Sequence, residues 1–210
     1  MLLLYLLAHA FKGWLVGNRP VALSFAPLTP EHWKDLVDLF GSNGACGGCW
    51  CMWWKVPRSN FALKKGASNR RSFKALVDRG DVPGFLAFEE DRPVAWCAVE
   101  PRERYPGLAR SRALVPVDDK PVWSITCFFV KAGYRRQGLC LAILQQAKRF
   151  VAERGGRLIE GYPRDPGKGF PGANSMWTGN FSTFIKAGFT EVERRTPTRP
   201  IMRYELPDGG

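Results

Sequence analysis

The chain predicts a mixed α/β fold, and three observations carry that reading. Segments of strand-like patterning alternate with segments of helical periodicity, and hairpins stand near the start and the end. Val122 to Val130 is a continuous apolar run, as in a strand covered on both faces. Directly after it, Leu139 to Arg154 repeats apolar residues at helical spacing. At 210 residues, with 45% hydrophobic and 13% aromatic content, the composition is globular. The length allows one sizeable core, in one domain or at most two.

The elements follow in order. Residues 1–18 are read as an accessory N-terminal segment before a single domain over 19–210. Met1 to Ala8 is apolar, with no basic residue ahead of it and no convincing cleavage site after it, which makes a poor signal peptide. It is also too short to span a bilayer, and a short accessory helix is expected. Val21 to Phe25 reads as a strand between Pro20 and Pro27. Thr29-Pro30-Glu31-His32 opens a helix that stops at Gly41. A loop rich in Gly, Cys and Trp runs to Pro57, and Asn69 to Arg79 reads as a second helix ended by Gly80. Gly84–Phe88 and Pro93–Val99 form a hairpin around Glu89-Glu90-Asp91-Arg92. Pro101 to Val117 is a connection with one helical turn near Leu108. After the apolar strand, Leu139–Arg154 is the strongest helix, ended by Gly155-Gly156. Arg157–Tyr162 is a strand, Ser175–Ala187 a helix stopped by Gly188, and Phe189–Arg194 with Ile201–Leu206 a closing hairpin.

The stretch from Cys127 to Leu141 is the most informative. It reads as a buried strand, a short basic turn and a helix start, which is a mould for a pyrophosphate. Successive backbone N–H groups make an anion-binding concavity, and the helix N-terminus adds a favourable dipole. Gly138 lets the backbone approach the phosphates, and Arg135 and Arg136 add charge. The pattern Arg135-x-x-Gly138-x-Cys140 resembles the acetyl-CoA loop (Q/R-x-x-G-x-G/A) of the GNAT N-acetyltransferases. Phe128-Phe129-Val130 resembles that family's fourth strand, and Phe184-Ile185-Lys186-Ala187-Gly188-Phe189 its last helix end. The resemblance covers about residues 20–205. Cys140 stands where the family prefers Gly or Ala. Phe184 stands where many members carry a Tyr that protonates the leaving thiolate.

The resemblance implies the acyl-CoA N-acyltransferase fold, a mostly antiparallel central sheet flanked by helices. It implies an enzyme that moves the acetyl group of acetyl-CoA directly to an amine, in a ternary complex. Coenzyme contacts fall on Phe128, Phe129, Val130, Arg135, Arg136, Gln137, Gly138, Leu139 and Cys140. Glu160 and Tyr162 alternate onto one face of the next strand, which adjoins the thioester in the family. They are the candidates for base and acid, against the alternative of a polar pair satisfied by its neighbours. Trp50, Trp53 and Trp54 match the region from which the family builds its acceptor site. Such aromatics either line a pocket or pack on the core, and both readings stay open.

The remaining signals are weaker. Cys46-x-x-Cys49-x-Cys51 offers three thiolates, but a structural zinc site wants four ligands and no second pair follows, so no metal is expected. Cys127 lacks a His at motif spacing to activate it as a nucleophile. The six cysteines give no disulfide framework, and a reducing cytoplasm fits best. Gly167 to Gly172 spells G-x-G-x-x-G, but prolines separate it from the preceding strand, so it reads as a flexible loop, a lid beside the acceptor site. The net charge of +12 favours anionic partners. Arg70-Arg71 and Arg194-Arg195 read as solvated pairs. The resemblance implies a small-molecule or peptide amine as acceptor. Neither nucleic acid nor membrane is expected as a partner, and a homodimer stays open. Two rival readings remain: a non-catalytic CoA-binding or sensor domain of the same fold, and a basic nucleic-acid-binding protein.

Overall fold

The computed structural model describes residues 11–16, 19–165, 167 and 173–207. Their strands are β1 (Phe11–Val16), β2 (Arg19–Pro27), β3 (Gly84–Glu89), β4 (Arg92–Pro101), β5 (Trp123–Val130), β6 (Leu158–Gly161), β7 (Thr190–Glu193) and β8 (Ile201–Glu205). Their helices are α1 (Trp33–Phe40), α2 (Arg58–Leu63), α3 (Ala67–Asp78), α4 (Pro106–Ala109), α5 (Leu139–Ala152) and α6 (Phe181–Lys186). The strands form one eight-stranded sheet in the order β1-β2-β3-β4-β5-β6-β8-β7. Every neighbouring pair is antiparallel except β5 and β6. A parallel pair needs a long crossover, and α5 supplies it. The expected mixed, mostly antiparallel sheet flanked by helices is the sheet observed.

Each face carries its own core. On one, α5 sets Leu139, Ala142, Ile143, Leu144, Ala147 and Val151 against Phe85, Ile125 and Phe128 of the sheet, with Phe184 beside them. On the other, Trp33, Leu36 and Phe40 of α1 and Phe73 and Val77 of α3 pack on Leu86, Phe88 and Trp96. Both faces of β5 are therefore covered, as its unbroken apolar run requires.

Three elements differ from the reading of the sequence. Residues 11–16, inside the segment read as accessory, are a strand paired with β2 through Trp14↔Val21 and Val16↔Arg19; the apolar run Met1–Ala8, where a short helix is expected, lies outside the described residues, as do residues 9–10 and 17–18. Helix α2 lies between Pro57 and Asn69, a stretch given no element, because six residues are too few to display a helical period. The helix expected over Ser175–Ala187 is divided into a 3-10 segment, Ala173–Thr178, and α6. The break falls at Gly179, whose φ of 91° departs from helix and where a Cβ would meet Phe184 at 2.8 Å and Phe128 at 3.0 Å. The chain restarts at Asn180, whose side chain accepts a hydrogen bond from the Ser182 N–H at 2.9 Å, an ordinary N-cap. The lid expected over 167–172 lies outside the described residues apart from Gly167.

The site is positioned by an irregularity in β5. Ala98 of β4 faces Cys127, while Val99 faces Ile125, which leaves Thr126 as an extra residue. Such a bulge bends its strand and increases the local twist. On the other side β5 pairs with β6 only from Trp123↔Ile159 to Ile125↔Gly161. From the bulge onward the two parallel strands part, and no described strand pairs with that edge of β5 up to Val130.

Candidate functional site

The opened edge of β5 runs into the basic turn. A 3-10 segment, Ala132–Tyr134, follows Lys131, and Gly138 caps α5 with φ 82°. Arg136 also takes a left-handed φ of 62°. The turn is stapled by its own side chains. Arg135 donates from Nε to the Val130 carbonyl at 2.9 Å, and Gln137 donates from Nε2 to the Gly133 carbonyl at 2.8 Å. Arg135 and Arg136 remain exposed, whereas the Leu139 side chain is buried in the core. Leu139 and Cys140 thus contribute first-turn amides, which have no intrahelical acceptor, at the positive end of a 14-residue helix. Phe128 and Phe129 direct their rings into the packing, against Phe184 at 6.0 Å and Phe40 at 5.4 Å. What they offer an incoming ligand is main chain.

Beside β5 lie two cavities that share Trp53 and Trp177 as walls. The smaller, about 300 Å³, is apolar and reaches Cys127, Phe128 and Phe129. The larger, about 580 Å³, is lined by Trp53, Trp54 and Trp177 together with Arg58, Arg110, Arg164 and Arg199. The loop between α1 and α2 shapes both. Its backbone is left-handed at Trp50 (φ 45°) and Cys51 (φ 54°), conformations that bulky side chains adopt only when the surroundings enforce them. Asn69 of α3 holds it by donating to the carbonyls of Gly48 and Cys49. Of the three tryptophans singled out in the sequence, Trp53 and Trp54 face the larger cavity. Trp50 is packed between Trp33 and Phe40 in the core. Trp177 and the arginines of the cavity gave no signal of their own in the sequence. Arg164 and Arg199 sit in connections and Trp177 in the short 3-10 segment before α6, where no helical period tells which way a side chain points.

Glu160 and Tyr162 come together, but within a closed network. Glu160 accepts from Arg102 Nη1 at 2.8 Å and from Tyr162 at 2.7 Å through Oε1, and from Arg203 Nε at 2.9 Å through Oε2. Arg203 also donates to Asp118 at 2.6 and 3.0 Å. Tyr162 accepts from Arg102 at 2.6 Å and sits 2.8 Å from Ser124 Oγ. Both residues are almost fully buried, and neither lines the two cavities. Burial and the neighbouring Glu160 carboxylate push the Tyr162 phenol well above its ordinary value. A second buried pair, Lys55 with Glu100, was not anticipated; its partners are 45 residues apart and share no local motif.

Cys46, Cys49 and Cys51 are free thiols, and no grouping of His, Cys, Asp or Glu suited to a metal ion occurs among the described residues. Burial, then the neighbouring Cys51, pushes the Cys49 thiol up to about 12. Among the same residues no helix is long and apolar enough to cross a membrane.

A sheet opened between two parallel strands, whose free edge leads into a turn of amides and a helix N-terminus, defines the class of acyl-CoA N-acyltransferases. The acetyltransferase (GNAT) family model matches residues 50–163, over half of the chain, and the chain belongs to that family. Among solved structures, a GNAT-family acetyltransferase from Listeria monocytogenes superposes with a TM-score of 0.57 at 10% identity, covering 93% of this chain and 100% of that one. The GNAT domain of PAT from S. lividans gives 0.54 at 13% identity, covering 96% and 99%. The PaiA N-acetyltransferase from Thermoplasma acidophilum, in complex with coenzyme A, gives 0.51 at 12% identity, covering 88% and 99%. At such identities the likeness is one of fold. No curated protein matches the sequence.

Proposed function

We propose that the chain transfers the acetyl group of acetyl-CoA directly to an amine held in the larger cavity, with no covalent enzyme intermediate. The observation that carries this reading is the free edge of β5 from Thr126 to Val130 running into the Gly138 turn. Bound acetyl-CoA supplies an activated thioester. The residues present suit it: exposed Arg135 and Arg136 with the Gly138–Cys140 amides take the pyrophosphate, and the edge of β5 can hydrogen-bond the pantetheine arm as a strand would. Main-chain N–H groups near Phe128–Val130 are then placed to bind the carbonyl oxygen where negative charge develops. The N–C bond forms as the C–S bond breaks, and the proton given up by the amine ends on the departing thiol.

The amine must be neutral to attack. Among the described residues, four guanidinium groups and no carboxylate line the larger cavity. Like charges disfavour a protonated amine, so the cavity itself assists loss of the proton to water. Glu160 and Tyr162 are assigned to positioning rather than proton transfer. Both Glu160 oxygens are taken by arginines, and a phenol held above its ordinary value is no base. Phe184 brings no hydroxyl to the thiol.

Calorimetry with CoA and acetyl-CoA at low ionic strength tests the reading. Micromolar binding and amine-stimulated thiol release are expected. A protein that yields no heat with either compound is not an acetyltransferase.

A further inference from the structure

The larger cavity is short of negative charge in a specific way. Three of the donors around it are buried without a hydrogen-bond partner: Nε of Arg164, Nε of Arg199 and Nε1 of Trp54. Unpaired buried donors are rare, because each loses its hydration and gains nothing in return. Arg164 is pinned by its main chain, donating to the Gly179 carbonyl and accepting from the Phe181 N–H, both at 2.9 Å. Among the described residues its guanidinium meets the Thr198 hydroxyl alone, at 3.3 Å. The adjacent carboxylate, Asp165, is already engaged by Arg194 at 2.9 Å. Burial, and then the charge of Arg164, hold Arg199 down to about 10. Arg58 rests on the Trp53 ring at 5.0 Å, and Arg110 donates to the Val56 carbonyl at 3.2 Å. Among the described residues none of these four arginines forms an ion pair, whereas Arg79, Arg102, Arg194 and Arg203 do. Two like charges held together beside unused donors, between tryptophan walls, make a receptor lacking its anion.

We infer that this cavity binds an organic anion, and that the acceptor is an amine that also bears a carboxylate or phosphate on a flat, apolar body. The second half rests on the acetyl-transfer reading above; the first does not. Arg164 and Arg199 grip the anionic group, and Trp53, Trp54 and Trp177 enclose the apolar body. The amine is left to point past Trp53 and Trp177 toward the smaller cavity and the end of β5.

The test has two arms. In the first, phenylacetate, phenyl phosphate and neutral phenylacetamide are titrated into the whole protein, with and without saturating CoA, and tryptophan emission is followed. At least one anion should bind about tenfold or more tighter than phenylacetamide, and Arg164→Gln or Arg199→Gln should weaken it by at least about tenfold, with Arg199→Lys losing less. Which anion wins identifies carboxylate or phosphate. Exposed Arg110→Gln gives a smaller loss and keeps the test open should the buried variants not fold. Equal affinities for the three probes, or no loss in any variant that folds, overturns the anion site. Displacement of the anion by CoA also overturns it, since the cavity would then belong to the coenzyme. In the second arm, thiol release from acetyl-CoA is compared for phenylalanine against phenethylamine and phosphoethanolamine against ethanolamine. One anionic member should show a kcat/KM higher by about tenfold or more, and the Arg199→Gln loss should appear in KM rather than kcat. Anions that bind, alongside anionic amines that are not preferred, would sink the acceptor assignment alone. Failure of acetyl-CoA to bind in calorimetry would remove the transfer reading and leave the first arm standing.

Discussion

Gly138 takes φ 82° at the point where the amide turn becomes α5. A β-branched residue there is strained by about 1–3 kcal/mol in the left-handed region and sets a side chain on the phosphate path. Gly138→Val is expected to weaken acetyl-CoA binding by more than tenfold, read by calorimetry, while circular dichroism stays native. The seven buried residues of α5 hold the helix in place regardless. Glu160 behaves oppositely. It lies between Arg102 and Arg203 at 1% exposure, and removing one partner of a buried ion pair costs about 3–5 kcal/mol. Glu160→Ala should therefore lower the melting temperature by roughly 6 °C or more at this chain length. Glu160→Gln, which keeps the shape, should retain kcat within about threefold. A Glu160→Gln variant of native stability and no turnover would restore the carboxylate as base. Arg199 adds a pH signature. Its folded value lies near 10, lowered first by burial and then by Arg164. The charged form is the one that binds an anion, so affinity is full below that value and falls as pH rises through it. Among the described residues, the charged groups facing it across the cavity are Arg58, Arg110 and Arg164. Titration of phenylacetate or phenyl phosphate between about pH 8 and 11 reads this directly, and a flat profile would contradict it.

Between β5 and β6, a bulge and a glycine set how far the sheet opens. Thr126 bends β5 away just where pairing with Gly161 ends, and the Phe184 ring of α6 closes over Gly161, so that a Cβ there would lie 2.2 Å from Phe184 Cε1. Gly161→Ala is expected to push that ring, and with it α6, toward Phe128, costing about 1–3 kcal/mol in urea unfolding. Acetyl-CoA affinity should fall with it, because the ring moves into the opening. Unchanged affinity in a destabilised variant would mean that the pantetheine arm lies elsewhere. Elements of this kind explain how much the sequence disclosed. β5 and α5 were legible because eight and fourteen residues are long enough to show a period and to place Gly138 between them. The bulge at Thr126 was not, since register depends on the partner strand. The break at Gly179 was hidden for a similar reason: a close ring contact across the fold, not local propensity, interrupts the helix. The tryptophan loop was legible as costly to expose, but the division of Trp50 to the core and Trp53 and Trp54 to the cavity depends on left-handed residues that composition does not reveal.

The net charge of +12 is not spread evenly as far as ligands are concerned. Much of it is tied locally, as in Arg102 and Arg203 around Glu160 or Arg194 between Glu191 and Asp165. Two arginine groups without an ion pair among the described residues bear on ligands: Arg135 and Arg136 on the exposed turn, and the four around the larger cavity. They differ in depth, and salt discriminates by depth. At about 0.15 M ionic strength charges are screened over roughly 8 Å of solvent, whereas partly buried pairs are screened much less. CoA affinity should thus fall steeply from about 20 to 500 mM NaCl, and Arg135→Glu with Arg136→Glu should flatten that slope as well as weaken binding. Affinity for an anion at Arg164 and Arg199 should change by only a few-fold over the same range. The same titrations decide the rival reading of a basic nucleic-acid-binding protein. A phosphate-backbone binder loses orders of magnitude in affinity over this range, and its charges would lie outside the turn. Salt-steep DNA or RNA binding that survives the Arg135 and Arg136 reversal would therefore assign the surplus charge to nucleic acid. Binding lost with that reversal, together with a salt-insensitive anion in the tryptophan cavity, assigns it to a coenzyme and its acceptor.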